Sequence, residues 1–124
     1  MKIFNIFKKP TMADFDLKAP CKLKFQKDDY STYYISFYNP VLKSWWILPK
    51  EDVSIHGRWT LLDKGSYGAY DIGILQCEYS EVQHYKNKFK TIGDIKIYFD
   101  EMNKKYDEWL DRRKKDNELP SIIN

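Results

Sequence analysis

A single apolar stripe near the end of the chain constrains the fold more than any other feature. Apolar side chains recur there at steps of three or four residues, at Ile92, Ile95, Phe99, Met102, Tyr106 and Trp109. That spacing predicts an amphipathic helix over 92–115 that must bury one face. Thr91 is a good N-cap, and Asp94 three residues later makes the aspartate variant of a capping box. Such a helix needs a second layer to pack against.

The preceding residues supply that layer, because their patterns are typical of strands. Strand-like runs fall at 21–27, 30–39, 45–48, 58–62 and 69–79. The first alternates apolar and polar side chains, and Asp28-Asp29 provides the turn to the second. Gly73 inside the last run indicates a bulge or a close packing contact. The sequence therefore predicts an α+β fold: an antiparallel meander sheet of about four or five strands packed against one long C-terminal helix.

The chain divides into an apolar and basic N-terminal arm (1–20), a single α+β domain (21–115) and a C-terminal tail (116–124). Its 124 residues suffice for one core. Both ends carry apolar residues that we treat as candidate docking groups: Ile3, Phe4, Ile6, Phe7, Ile122 and Ile123. The arm could dock on the chain's own core, on a neighbouring subunit or on a membrane surface. No signal peptide or membrane span is recognisable, so we expect a cytoplasmic protein, in a host cell or a virion.

Aromatic content is the compositional outlier. Aromatic residues make up 17% of the chain, with ten Tyr, seven Phe and four Trp. A net charge of +3 is too small for a dedicated binder of duplex nucleic acid. Residues encoded by AT-rich codons are plentiful, which indicates an AT-rich genome such as that of a phage, a low-GC bacterium or a parasite.

The residue patterns disfavour most enzyme chemistries. Cys21, His56, Cys77 and His84 are spaced too widely for a zinc site, and no motif surrounds a Cys77–His84 dyad. The glycines match no phosphate-binding loop. Asp71, between two apolar residues, is interpreted as an outward residue at a strand start. We therefore expect no metal, no cofactor and no enzymatic activity.

Binding remains, and the aromatic excess indicates where. Trp45 and Trp46 are adjacent on a strand, so they must point to opposite sides of the sheet. The candidate binding residues are Tyr34, Tyr38, Trp45, Trp46, Trp59, Lys22, Lys24 and Arg58.

Three interpretations of these residues stay open. In the first, the helix and the arm cover every aromatic side chain. In the second, the aromatics form a protein-binding patch. In the third, they stack the bases of a single-stranded nucleic acid. The leading hypothesis is a non-enzymatic protein-interaction or structural accessory protein, encoded by a phage, that binds another protein or self-assembles. Inhibition of a host enzyme is a variant of it, and single-stranded nucleic-acid binding is the alternative.

Overall fold

A four-stranded antiparallel sheet forms one layer of the computed structural model, which describes residues 8–51, 58–65 and 73–118. The strands are β1 (Leu23–Lys27), β2 (Tyr33–Asn39), β3 (Ser44–Ile47) and β4 (Gln76–Cys77), and the helices are α1 (Val82–Lys88) and α2 (Ile92–Glu118). The α+β prediction is confirmed, since this sheet is combined with one long C-terminal helix. Within the described residues, no helix is both long and apolar enough to cross a membrane.

β2 is the central strand. β1 pairs along one of its edges, while β3 and β4 share the other edge, β3 beside the end of β2 and β4 beside its start. The partner of β2 on this edge changes from β3 to β4 near Ile35. The Leu48 N–H, just after β3, donates to the Ile35 carbonyl at 2.8 Å, and the Ile35 N–H donates to the carbonyl of Leu75, just before β4, at 3.4 Å. The order β1–β2–β3 is the predicted meander.

α2 packs on the inner face of the sheet through the predicted stripe. Ile92, Ile95, Phe99 and Met102 are all buried. The ring of Phe37 on β2 meets that of Phe99 edge-on, with centroids 6.1 Å apart. The capping box is also confirmed, because the Asp94 N–H donates to the Thr91 hydroxyl oxygen at 3.2 Å and the Thr91 N–H donates to the Asp94 carboxylate at 3.0 Å.

The predicted strand at 58–62 is wrong. Residues 58–65 form a loop, in which the Trp59 N–H donates to the Asn103 side-chain oxygen at 2.8 Å and the Trp59 carbonyl accepts from the Asn103 side-chain nitrogen at 2.7 Å. The Thr60 N–H closes a turn onto the Asp63 carbonyl. Trp59 and Leu61 are both buried in the core, and this spacing produces the alternating pattern of a strand. The backbone of Trp59, however, bonds to the Asn103 side chain of α2 and not to a neighbouring strand.

The predicted strand at 69–79 is wrong over most of its described part. Within 73–79 only Gln76–Cys77 is a strand, and residues 66–72, with Asp71 among them, lie outside the described part. Gly73 is a buried bend whose carbonyl accepts from the Lys50 N–H at 2.9 Å. A short turn then leads into α1, which the sequence analysis missed.

The described part of the N-terminal arm packs at the start of α2. Phe15 is buried there, and the carbonyls of Leu17 and Ala19 accept from the N–H groups of Gly93 and Ile92 at 2.8 and 3.0 Å. These contacts satisfy two of the N–H groups that the first turn of a helix leaves without an intrahelical partner. The candidate docking residues Ile3, Phe4, Ile6, Phe7, Ile122 and Ile123 lie outside the described residues.

Candidate functional site

The outer face of the sheet, opposite α2, gathers most of the candidate binding residues. Strand register places the following side chains on it: Lys22, Lys24, Gln26, Tyr34, Ser36, Tyr38, Trp45, Ile47 and Gln76. Both helices contact the inner face instead. Lys86 of α1 lies near Phe25, and Phe99 of α2 packs on Phe37. Trp45 keeps 40% of its surface exposed.

One end of this face, here called the aromatic–lysine end, consists of Lys22, Lys24, Tyr38 and Trp45. The Tyr38 and Trp45 rings meet edge-on with centroids 5.4 Å apart. The Lys24 ammonium lies 4.3 Å from the centre of the Trp45 ring, and the Lys22 ammonium lies 5.8 Å from that of Tyr38. Among the residues that the structure describes, neither lysine forms an ion pair with a carboxylate. Cation–π contacts thus hold two positive charges over an aromatic surface.

The opposite end, here called the groove end, is an open groove of about 710 Å³. The residues that line it include Gln26, Lys27, Asp28, Asp29, Tyr30, Tyr34, Ile47, Ile74 and Gln76. Its floor is the outer face of β2, and its rim is the β1–β2 loop. The groove therefore begins where the aromatic–lysine end stops.

Asp28 fixes the shape of that rim. Its carboxylate accepts from the N–H groups of Tyr30 and Thr32 at 2.7 and 3.0 Å, from the Thr32 hydroxyl, and from the Gln76 side chain at 3.2 Å. The hydrogen bond from Thr32 lowers the pKa of Asp28 more than its other contacts do, so this carboxylate is ionised at neutral pH. Ser31, between Tyr30 and Thr32, adopts a left-handed backbone conformation with a φ of 69°. The loop thus presents a fixed negative charge.

The structure brings five of the eight candidate binding residues together on the outer face: Lys22, Lys24, Tyr34, Tyr38 and Trp45. Trp46 and Trp59 belong instead to the core, with 3% and 0% of their surfaces exposed, so they offer no binding surface. Register explains Trp46, which lies opposite the inward-facing Phe37. Arg58 lies away from the face, paired with Asp107 of α2 at 2.5 Å.

The two described thiols are poor nucleophiles. Burial, with a smaller contribution from the charge of Asp94, raises the pKa of Cys21 to about 12. Burial also raises the pKa of Cys77, with the charge of Glu81 adding to it. Both thiols therefore stay protonated at neutral pH, and the thiolate is the reactive form. Within the described residues, no group of three or more His, Cys, Asp or Glu side chains could hold a metal ion.

Comparison of the chain with protein-family models, with curated proteins and with solved structures gives no match. The interpretation of the site therefore rests on its own geometry: an outward aromatic surface with fixed positive charge at one end and a groove with a fixed negative charge at the other.

Proposed function

We propose that the chain is a non-enzymatic protein-interaction module whose outer sheet face is buried against protein when it is assembled. The observation that carries this proposal is the placement of Trp45 and Tyr38 on the face opposite α2. Tyrosine and tryptophan are enriched among the residues that dominate protein–protein binding. The structure has a full core without these two side chains, since Phe37, Trp46, Trp59 and Phe99 already fill the inner layer.

The positions of the lysines support the same proposal. Lys22 and Lys24 rest against aromatic rings, so their ammonium groups lose little freedom when a partner arrives. Pre-organised groups of this kind lower the entropic cost of association. A protein that presents carboxylates can pair with both lysines while its apolar side chains cover the rings.

Single-stranded nucleic acid is the weaker candidate for this face. Base stacking needs an open ring face, and the Lys24 ammonium lies over one face of Trp45. With Trp46 and Trp59 in the core, Trp45 is left as the one candidate tryptophan on the face. Asp28 and Asp29 at the groove end would repel a phosphate backbone that continued along the sheet.

We also propose which kind of genome encodes the protein and where it acts. The abundance of Lys, Ile, Asn and Tyr, with few Ala and Arg, fits an AT-rich genome. We place the chain among phage-encoded accessory or structural proteins, which act in the host cytoplasm or in the virion. That origin accounts for the composition, whereas the sheet face accounts for the activity.

Site-specific photocrosslinking tests the face directly. A benzophenone amino acid is placed at position 45 and, as a matched control, at position 97, because Ile97 is 56% exposed on α2. After irradiation in the cells that naturally make the chain, we expect protein adducts from position 45 and few from position 97. Adducts with nucleic acid alone would support the stacking alternative. Equal yields at both positions, or none, would contradict a docking role for the face.

A further inference from the structure

We propose that the protein docked on the outer sheet face is a second copy of this chain, packed face to face about a two-fold axis that runs across the strands. This inference rests on the proposed function and specifies which protein covers the outer face. It follows from the distribution of charge and shape over the face, whose two ends are complementary to each other.

The charges at the two ends of the face are opposite. The aromatic–lysine end carries Lys22 and Lys24, which have no carboxylate partner among the described residues. The groove end carries Asp28 and Asp29 on the rim. Lys27 also borders the groove and offsets one of these carboxylates, which leaves the groove end net negative. Two such surfaces attract each other when the aromatic–lysine end of one copy meets the groove end of the other. They repel each other when like ends meet.

The strand register determines which residues meet in the reversed arrangement. β1 carries Lys22 just before its start and Asp28 just after its end, so both lie along the same line of the face. A two-fold axis crossing the strands between Tyr34 and Ser36 superposes the two ends of that line. Each Lys22 then lies against Asp28 of the second copy, and the exposed Lys24 lies against the exposed Gln26 of the second copy.

The shapes of the two ends are complementary in the same arrangement. Trp45 on β3 projects at one end, with Lys24 over its ring. At the other end, on the same edge of β2, Gln76 of β4 lies beside Tyr34 and lines the groove. The two-fold axis carries the Trp45 of each copy to the groove of the other. An interface of this kind is isologous, since the same patch serves both copies and the assembly closes at two.

The alternative two-fold axis, parallel to the strands, does not fit. It would carry β1 of one copy over β3 of the other and place the two aromatic–lysine ends together, so that four lysines shared one end of the interface. The groove ends would bring four carboxylates into one region. Both contacts are repulsive, and like charges across an interface oppose association strongly.

The small sheet area limits the strength of this dimer. Strands are spaced by about 4.8 Å and rise by about 3.3 Å per residue, so a face of this width and length is well below the ~800 Å² per partner of a standard interface. We therefore expect an exchanging dimer with a micromolar dissociation constant. Its formation should weaken as salt rises, because the charge pairs at its rim are exposed.

Charge reversal on the full-length chain tests the arrangement by sedimentation equilibrium. One variant carries Lys22→Glu and Lys24→Glu, which makes both ends negative. The other carries Gln26→Lys and Asp29→Lys, which makes both ends positive and leaves Asp28 to hold the loop. The matched control reverses two exposed charges on α2, Lys104→Glu and Lys114→Glu. Circular dichroism confirms that each variant is folded.

We expect the wild type and the control to dimerise with similar dissociation constants, and each face variant alone to dimerise at least about tenfold more weakly. An equimolar mixture of the two face variants should recover dimers, because the negative ends of one meet the positive ends of the other. A wild type that stays monomeric to about 1 mM, face variants that dimerise normally, or a mixture that stays monomeric would each overturn the second-copy proposal. A monomer that still crosslinks at position 45 to a different protein would leave the proposed function standing.

Discussion

At the scale of single residues, Asn103 determines how the loop at 58–65 is held. Its side-chain amide pairs with both the N–H and the carbonyl of Trp59, at 2.8 and 2.7 Å, and only 6% of Asn103 is exposed. Asparagine can do this because its amide carries a donor and an acceptor side by side. A loop without regular secondary structure is thereby attached to the middle of α2.

Replacing Asn103 with alanine should therefore cost more than an ordinary truncation. Two buried hydrogen bonds disappear at once, and each buried group left unpaired costs about 1–3 kcal/mol, so we expect the free energy of unfolding to fall by about 2–4 kcal/mol. Urea unfolding followed by tryptophan fluorescence measures this change. The control is Asn87→Ala on the exposed side of α1, which should cost under about 0.5 kcal/mol. Equal costs for the two variants would contradict the assigned role.

At the scale of elements, the start of α2 is held in two ways. The capping box joins Thr91 and Asp94, and the carbonyls of Leu17 and Ala19 accept from the next two N–H groups. We expect Thr91→Ala to lower the free energy of unfolding by about 1 kcal/mol. The Thr91→Ala and Asp94→Ala changes together should cost less than their sum, because both act on one pair of hydrogen bonds. Thermal unfolding measures this, with the exposed Glu101→Ala as the control; additive losses would contradict a coupled cap.

The elements differ in how far the sequence could predict them. The stripe from Ile92 repeats long enough to identify α2 and its N-terminal cap. α1 has only seven residues and no extended stripe, so its period could not be recognised. The loop at Trp59 alternates as a strand does, and what distinguishes it is a bond to Asn103, far along the chain. Pairing between distant segments leaves no local pattern.

The candidate site was also predictable only where a local residue pattern defines it. Alternation alone puts Lys22 and Lys24 on one face of β1, and Tyr34 and Tyr38 on one face of β2. It could not assign Trp45 and Trp46 to faces, which required the register of β3 against β2. The groove end was missed altogether, because it depends on β4 replacing β3 beside β2, a rearrangement between segments well separated in sequence.

At the scale of the whole molecule, Tyr98 links stability to pH. Its hydroxyl donates to the Pro49 carbonyl at 2.5 Å and thereby joins α2 to the chain beyond β3. Burial raises the pKa of Tyr98 well above its usual range, and the charge of Glu51 adds to the effect. The unfolded phenol loses its proton near pH 10, whereas the folded phenol keeps it. The contribution of Tyr98 to stability should therefore be constant below about pH 10 and fall as the pH rises further.

A phenylalanine at position 98 tests this linkage. Tyr98→Phe should lower the free energy of unfolding at pH 7 by about 1 kcal/mol, the net value of the lost hydrogen bond. Its alkaline decline should be shallower than that of the wild type, though not absent, because burial also raises the pKa values of Cys21, Cys77 and Tyr85. Tyr30→Phe, at a side chain that is 87% exposed, should follow the wild type at every pH. Parallel pH profiles for Tyr98→Phe and the wild type would contradict this role.

The central claim is that protein covers the outer face of the sheet in the assembled state, and lysine acylation in the native cells tests it most directly. The reactivities of Lys22 and Lys24 are compared with those of the exposed Lys104 and Lys114, first in the cells and then in dilute purified chain. We expect Lys22 and Lys24 to become several-fold more reactive, relative to the two α2 lysines, on purification and dilution. Relative reactivities that are the same in both states, or that rise only after nuclease treatment, would contradict the claim.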